Sequence, residues 1–331
     1  MIGWTLAFIF LSIVRGEGTR EIGSVDFVAW KAALVSIIGG CLFGALSGYA
    51  QILTEEKGYK KISIQKLLLL RILYVLLFLF TMISLAYLFF GEEITFLEFA
   101  FEPGSFAIYL YIVVVDVFMF GLRQVNLFLG GGNLWKLFRG KFYSPREEER
   151  IFMFLDLQSS TSHAERLGHI QYSKLIQDCF NDLGIVVENE AEIYQYVGDE
   201  VVLTWTPDTG LSRSNCVNAY YNFQQQLKAK EEHYRSNYAC LPHFKAGVNI
   251  GTVTVTEVGK YKKEIAYHGD AINTAARIQG KCNEFGKELL ISENLKNALE
   301  GIEFTFEHLG TMELRGKQEH VAIYAVAHLS Q

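Results

Sequence analysis

Residues 151–161 read Ile-Phe-Met-Phe-Leu-Asp-Leu-Gln-Ser-Ser-Thr (IFMFLDLQSST). The run from 151 to 157 is apolar except for Asp156, the pattern of a short buried strand carrying a carboxylate at its end. Leu157, Gln158, Ser159, Ser160 and Thr161 then read as a strand-to-helix turn. From 161 to about 187 the residues Leu167, Ile170, Leu175, Phe180 and Leu183 recur on one side of a helix. Backbone N–H groups at such a helix start favour phosphate. Ser160 or Thr161 also suits an ordinary N-cap, and the two uses are compatible.

Further along, residues 193–197 and 201–205, rich in β-branched and aromatic side chains, flank Gly198-Asp199, a hairpin signal. Residues 215–237 repeat the amphipathic helix pattern. Residues 244–250 and 252–258 are expected to pair as a hairpin around Gly251. A third helix is expected from 269 to about 285, with strands at 289–291, 304–309 and 321–326 completing the set. Strands alternating with helices and hairpins imply an α+β architecture, one sheet covered by helices.

In a ferredoxin-like arrangement the first strand and the hairpin are neighbours, which would bring Asp156 and Asp199 to one edge. Two carboxylates meeting near backbone amides suit divalent cations on a triphosphate. Mg²⁺ prefers oxygen and takes few ligands from protein, and paired ions stabilise both the attacking and the leaving oxygen at phosphorus. Taken singly, Asp199 fits as a turn residue and Asp156 as a helix-start residue; together they favour the metal reading. The segment 269–277 reads GDAINTAAR. Gly269 permits a sharp entry, Asp270 suits the first helical turn, and Ala275 and Ala276 permit close packing. Asn273 and Arg277 are four apart and share a helix face. An exposed polar pair is one use of them; charge supplied to a pentavalent phosphorus is another.

The rest of the chain has a different texture. Of 331 residues 50% are hydrophobic and four are proline, but the apolar runs crowd before about residue 132. Four spans are expected, at 2–14, 33–52, 72–90 and 106–129; the first is short against the roughly 20 residues a bilayer needs. The loop after the second span holds Lys57, Lys60, Lys61 and Lys66. The segment after the fourth holds Lys136, Arg139, Lys141 and Arg146. The loop between the third and fourth holds only acidic charges. The positive-inside rule then puts the N-terminus and the soluble domain in the cytoplasm. Asp116 and Arg123 fall within the fourth span, seven apart on one face, with Arg123 expected to reach the interface and Asp116 to face the bundle. The organisation is a four-helix transmembrane domain (1–130), a basic linker (131–150) and a soluble domain (151–331). The linker's basic residues suit anionic headgroups, whereas Lys260, Lys262 and Lys263 read as a solvated turn.

A net charge of −6 excludes the basic footprint of a nucleic-acid binder. The five cysteines, Cys41, Cys179, Cys216, Cys240 and Cys282, form no C-x-x-C pair, so neither a zinc site nor a disulfide framework is indicated.

The strings FLDLQSST, YVGDE and GDAINTAAR, in this order, resemble the class III adenylate and guanylate cyclases, over about residues 150–327. The resemblance implies a βαββαβ catalytic core that works as a homodimer with active sites at the shared interface. It implies Asp156 and Asp199 as ligands of two Mg²⁺ or Mn²⁺ ions per site. Asn273 and Arg277 of the opposite subunit would be the catalytic pair, orienting ribose and stabilising the transition state. Residues Leu157 to Thr161 and Gly198 would face the nucleotide, and Arg315, with Lys317 as its near alternative, the triphosphate. The base-reading positions align with Gln195 and Ala266. Adenylate cyclases often carry Lys and Asp (or Thr) there and guanylate cyclases Glu and Cys, so neither pair is matched. Gln195 both donates and accepts, and Ala266 offers no side-chain hydrogen bond. Analogy with bacterial members favours ATP as substrate, giving 3′,5′-cyclic AMP and pyrophosphate at the bacterial inner membrane. GTP is the alternative, and a non-catalytic nucleotide-sensing membrane protein a third reading, which the intact metal positions oppose. Diguanylate cyclases share the G-D-E hairpin but not GDAINTAAR.

Overall fold

The computed structural model describes residues 2–21, 34, 37–49, 64–90, 95–101, 103–130, 140, 143–299, 304–313 and 320–328. They fall into two compact units, Met1–Phe128 and Leu129–Gln331.

The first unit holds α1 (Ile2–Glu21), α2 (Ile37–Tyr49), α3 (Ile64–Phe90), the short α4 (Phe96–Ala100) and α5 (Pro103–Leu129). A capping box closes the start of α4, where Thr95 and Glu98 each bond the other's backbone N–H. Trp4, Phe43, Val75, Leu79 and Ile112 form the buried apolar centre. Around it the polarity is inverted. Leu69, Leu73, Leu77, Leu110 and Phe118 face outward, while Arg71 and Asp116 are buried and joined at 2.7 Å. Asp116 faces the interior of the unit, as expected, and its partner there is Arg71 of α3.

Four spans were expected; among the described residues one helix, Phe106–Leu127 within α5, is long and apolar enough to cross a bilayer. Ile2–Val14, Ile37–Tyr49 and Leu68–Thr81 are shorter apolar stretches. The expected third span began at residue 72, but α3 starts at Ile64 and takes in Lys66 and Arg71. The expected second span lies partly outside the described residues.

In the second unit a single sheet runs in the order β2-β3-β1-β4-β6-β8-β7, with β5 added to β4. The strands are β1 (Arg146–Leu157), β2 (Glu192–Val197), β3 (Glu200–Trp205), β4 (Phe244–Val258), β5 (Glu264–His268), β6 (Leu289–Ser292), β7 (Phe304–Glu313) and β8 (His320–His328). The sheet is antiparallel except at β4 and β6. The first four strands with α6 (Ser160–Asp182) and the pair α7 (Pro207–Leu211) and α8 (Asn215–Ala229) give the βαββαβ order and the ferredoxin-like neighbour relations. Strand β1 starts at Arg146, so the last residues assigned to a linker are already sheet.

Alternation along β1 divides the core. Ile151, Met153, Leu155 and Leu157 point to the face covered by α6 and α8, packing with Leu175, Cys179, Tyr220 and Phe223. Phe152 and Phe154 point to the opposite face, with Val253, Val255 and Tyr267. The helix on that face is α10 (Asp270–Gly280), which follows α9 (Glu231–Tyr238) in the chain. Expected single helices are interrupted. Gly168, at φ +71, breaks α6, and the 215–237 stretch divides at Lys230 into α8 and α9. The expected third helix divides at Lys281 into α10 and α11 (Cys282–Phe285). A last short helix, α12 (Glu293–Ala298), starts with Ser292 accepting from the Leu295 N–H.

The expected hairpin around Gly251 is absent. β4 runs unbroken from Phe244 to Val258 and turns only before β5. Gly251 serves packing instead, since a Cβ there would lie 3.0 Å from the Cβ of Ala271. Gly247 is tighter still; a side chain there would meet the backbone of Ala275 and Gln279 in α10. The buried Asn249 Nδ2 donates to Ala271 O at 2.9 Å and fixes the helix along the strand. Cys179, Cys216 and Cys282 are buried free thiols. Gly247→Val is expected to lift α10 off β4 and to cost about 1–3 kcal/mol, read as a lowered unfolding midpoint; an unchanged midpoint would contradict this packing.

Candidate active site

Asp156 is the penultimate residue of β1 and continues the face of Phe152 and Phe154, so its carboxylate lies on the side of α10. Its neighbour in β3 is Glu200 and its neighbour in β4 is Lys245. The β2–β3 turn is Gly198-Asp199, with Gly198 at φ +64, a conformation that glycine adopts without strain. That turn delivers Asp199 next to Glu200, at the end of the sheet where β1 stops. Asp156 and Asp199, separated by 43 positions in the chain, therefore converge as the sequence anticipated.

The electrostatics report the same proximity. Burial, and then the negative Asp199, raise the Asp156 carboxyl above the usual carboxylate range; hydrogen bonds from the Gln279 side chain and the Leu157 backbone oppose this. Burial and the charges of Asp156 and Asp199 push Glu200 up to about 7. The Tyr172 phenol is also raised, by burial first and Asp199 second, and hydrogen-bonds Ser160. The edge is thus overloaded with negative charge, which a cation would relieve. Among the described residues no three His, Cys, Asp or Glu side chains close on one point as a cage. Two carboxylates open to substrate phosphates are the set Mg²⁺ uses in nucleotide sites, so the residues fit a divalent cation.

The turn after Asp156 leads from strand to helix as expected, but the N-cap is Ser159 and not Ser160 or Thr161, since the helix already begins at Ser160. Leu157 is buried and pairs with Phe244. The Gln158 N–H donates to His243 O at 2.9 Å. Ser159 takes a left-handed conformation at φ 59 and precedes α6 without a side-chain cap bond. Ser160 and Thr161 open the helix, whose N–H groups there have no intrahelical partner.

Asn273 and Arg277 lie on α10. Asn273 is exposed and donates to Gly269 O at 3.2 Å. Arg277 borders a cleft of about 650 Å³ that Lys281, Phe285, Thr311 and Met312 also line, and its buried Nη1 has no hydrogen-bond partner. Among the described residues no hydrogen bond or ion pair links Asn273 or Arg277 to Asp156 or Asp199. Gln195 is exposed on β2 beside a bulge, and Ala266 on β5 pairs with Thr256. Arg315 and Lys317 lie outside the described residues.

Three residues at the acidic edge were missed from sequence. Glu200 was visible in YVGDE, but its burial was not. Lys245 is a cation in register with Asp156, its Nζ bonded to Asn283 Oδ1 at 2.6 Å; only strand pairing reveals it. Gln279 reaches Asp156 because α10 lies so close to β4.

Comparison with known proteins gives a consistent result. Residues 142–328 match the adenylate and guanylate cyclase catalytic domain family. "Adenylate cyclase 2" of Rhizobium meliloti is 31% identical over 212 residues, 63% of this chain and 58% of that protein. An adenylate cyclase of Anabaena cylindrica is 27% identical over 183 residues, 53% of this chain and 36% of that protein. The chain thus spans less than two thirds of the length of these relatives. The structure of a bacterial light-regulated adenylyl cyclase shares the fold at TM-score 0.57 and 19% identity, covering 68% of this chain and 66% of that one. The adenylyl cyclase CyaB from P. aeruginosa does so at TM-score 0.50 and 17% identity, covering 57% and 98%.

Replacing Asp199 by Asn removes one negative neighbour, so the Asp156 and Glu200 carboxyls should both titrate at lower pH. Carbon-detected NMR titration of the metal-free protein reads this directly; unmoved values would mean that the Asp199 carboxylate does not reach the other two.

Proposed function

The chain belongs to the adenylate and guanylate cyclase catalytic domain family, and we propose that it is a membrane-embedded adenylate cyclase forming 3′,5′-cyclic AMP and pyrophosphate from ATP. The observation that carries this reading is the convergence of Asp156 and Asp199 on one sheet edge, close enough that Asp199 raises the Asp156 carboxyl.

Asp156 and Asp199 would hold two Mg²⁺ or Mn²⁺ ions against the triphosphate. Bound there, such ions lower the charge barrier to attack and stabilise the leaving oxygens. The N–H groups of the turn at Ser159, Ser160 and Thr161 would cradle phosphate, with Lys245 as a further cation beside Asp156. The ribose 3′-hydroxyl would pass its proton to water while its oxygen attacks the α-phosphorus in line with the departing oxygen; one P–O bond forms, one breaks, and pyrophosphate leaves. Asn273 and Arg277 would orient ribose and neutralise charge developing on phosphorus. As the resemblance to class III cyclases implies, a second copy would supply them, and a homodimer would hold two composite sites. Gln195 and Ala266 would border the base.

Membrane embedding is supported by the inverted polarity of the first unit, apolar outside and charged within. The lysines at 57, 60, 61 and 66 support a cytoplasmic N-terminus and catalytic unit. Four spans remain the proposed arrangement, of which the described residues carry one candidate. The base-reading pair, Gln195 and Ala266, matches neither substrate's usual set, so GTP stays the alternative substrate, and product assay with both nucleotides decides between them.

Asp156→Ala and Asp199→Ala should each reduce cyclic nucleotide formation below about a tenth of wild type; higher residual turnover would remove them from the metal site. Mixing Asp199→Ala with Arg277→Ala chains should recover activity through one intact composite site, and no recovery would contradict sharing between copies. Gln195→Lys combined with Ala266→Asp should raise the ATP/GTP rate ratio; an unchanged ratio would mean that the base is read elsewhere.

A further inference from the structure

Three helices of the first unit meet at one charged point. Arg71 on α3 donates from Nε to Asp116 Oδ2 at 2.7 Å and from Nη2 to Asp116 Oδ1 at 2.8 Å, a two-pronged pair with α5. Ser47 on α2 completes it. Its Oγ donates to Asp116 Oδ1 at 3.3 Å and also contacts Arg71 Nη2, and its carbonyl accepts from Arg71 Nη1 at 3.3 Å. The Arg71 guanidinium lies 5.8 Å from the Tyr74 ring centre. Asp116 is 0% exposed and Ser47 and Arg71 are 3% and 8% exposed. Every charged atom of the pair has a partner drawn from another helix.

A bundle that only anchored a domain would need no such cluster. Removing two charges from water costs more than packing apolar residues of similar size, and the attested use of a buried pair is to fix register between elements. Among the described residues, the helix that carries Asp116 is the last before β1, and the second unit begins at Leu129 where α5 ends.

We propose that Arg71, Asp116 and Ser47 form an interhelical latch that holds α2, α3 and α5 in one packing register, and that releasing it changes the output of the cyclase; the second half rests on the cyclase reading above. Made and released, such a latch would be the element through which a stimulus acting on the first unit is relayed.

The test uses the full-length protein in lipid nanodiscs. Arg71→Gln and Asp116→Asn, each of which strands one partner, should each lower the melting temperature by more than about 10 °C. The double variant R71Q/D116N should lose clearly less than the sum; additive shifts would overturn the latch. If the single variants cannot be purified, the apolar pair R71M/D116L carries the test. It should be recovered folded with a melting temperature near or above wild type, and failure to recover it would equally overturn the proposal. In that stable variant the register is no longer specified, and cyclic nucleotide formation should change at least threefold. An unchanged rate would reduce the cluster to structural support and refute the latch. Wild-type protein forming no cyclic nucleotide would defeat the cyclase reading alone, and the melting cycle would still judge the register.

Discussion

Helix α10 lies against β4 at a distance that only glycine permits at position 247, and the remainder of the catalytic unit is arranged around that contact. The strand beneath is flanked by β1, which ends in Asp156. The helix above brings Gln279 to the same carboxylate and holds Arg277 at the border of a cleft. Ala271 and Ala275 make the approach possible from the helix side, and Asn249 fixes the axial position. A larger residue at any of these places would move the acidic edge and the Asn273–Arg277 face relative to each other, because both are referred to one strand.

The second ordering principle is charge. Asp156, Asp199 and Glu200 share one sheet edge at the margin of an apolar cluster, and burial first and the crowding of charge second raise the Asp156 and Glu200 carboxyls. Such an edge costs folding stability in the absence of a counter-ion. The arrangement makes sense as a surface prepared for cations and phosphates. The first unit handles charge in the opposite manner: Arg71 and Asp116 neutralise each other inside, and the outer surface is left to leucine, valine and phenylalanine.

Much of the catalytic unit was legible in the sequence, since it depends on local signals. An apolar run closed by Asp156, a Gly-Asp turn between two strands and an Asn-x-x-x-Arg helix each have a short-range cause, and each occurs where expected. What could not be read was set by long-range contact. Gly251 has the composition of a turn, but close packing against Ala271 keeps β4 straight through it. Lys245 became a neighbour of Asp156 only through strand register. Asp116 faces the bundle interior as expected, but its partner Arg71 could not be read, because helix pairing, and not spacing within one helix, decides which charges meet inside a bundle. The length of α3 was missed for the same reason: a charge at position 71 reads as an end signal until its buried partner is known.

The buried thiols described above have a practical corollary. Burial pushes Cys216 and Cys282 up to about 12, and Cys179 is raised for the same reason. At neutral pH almost none of these sulfurs is in the nucleophilic thiolate form, and each is sealed under the sheet or its helices. Alkylating reagents should therefore reach them only when the layers part. Their labelling rate then becomes a clock for transient opening of the catalytic unit, readable by mass spectrometry without altering a single residue.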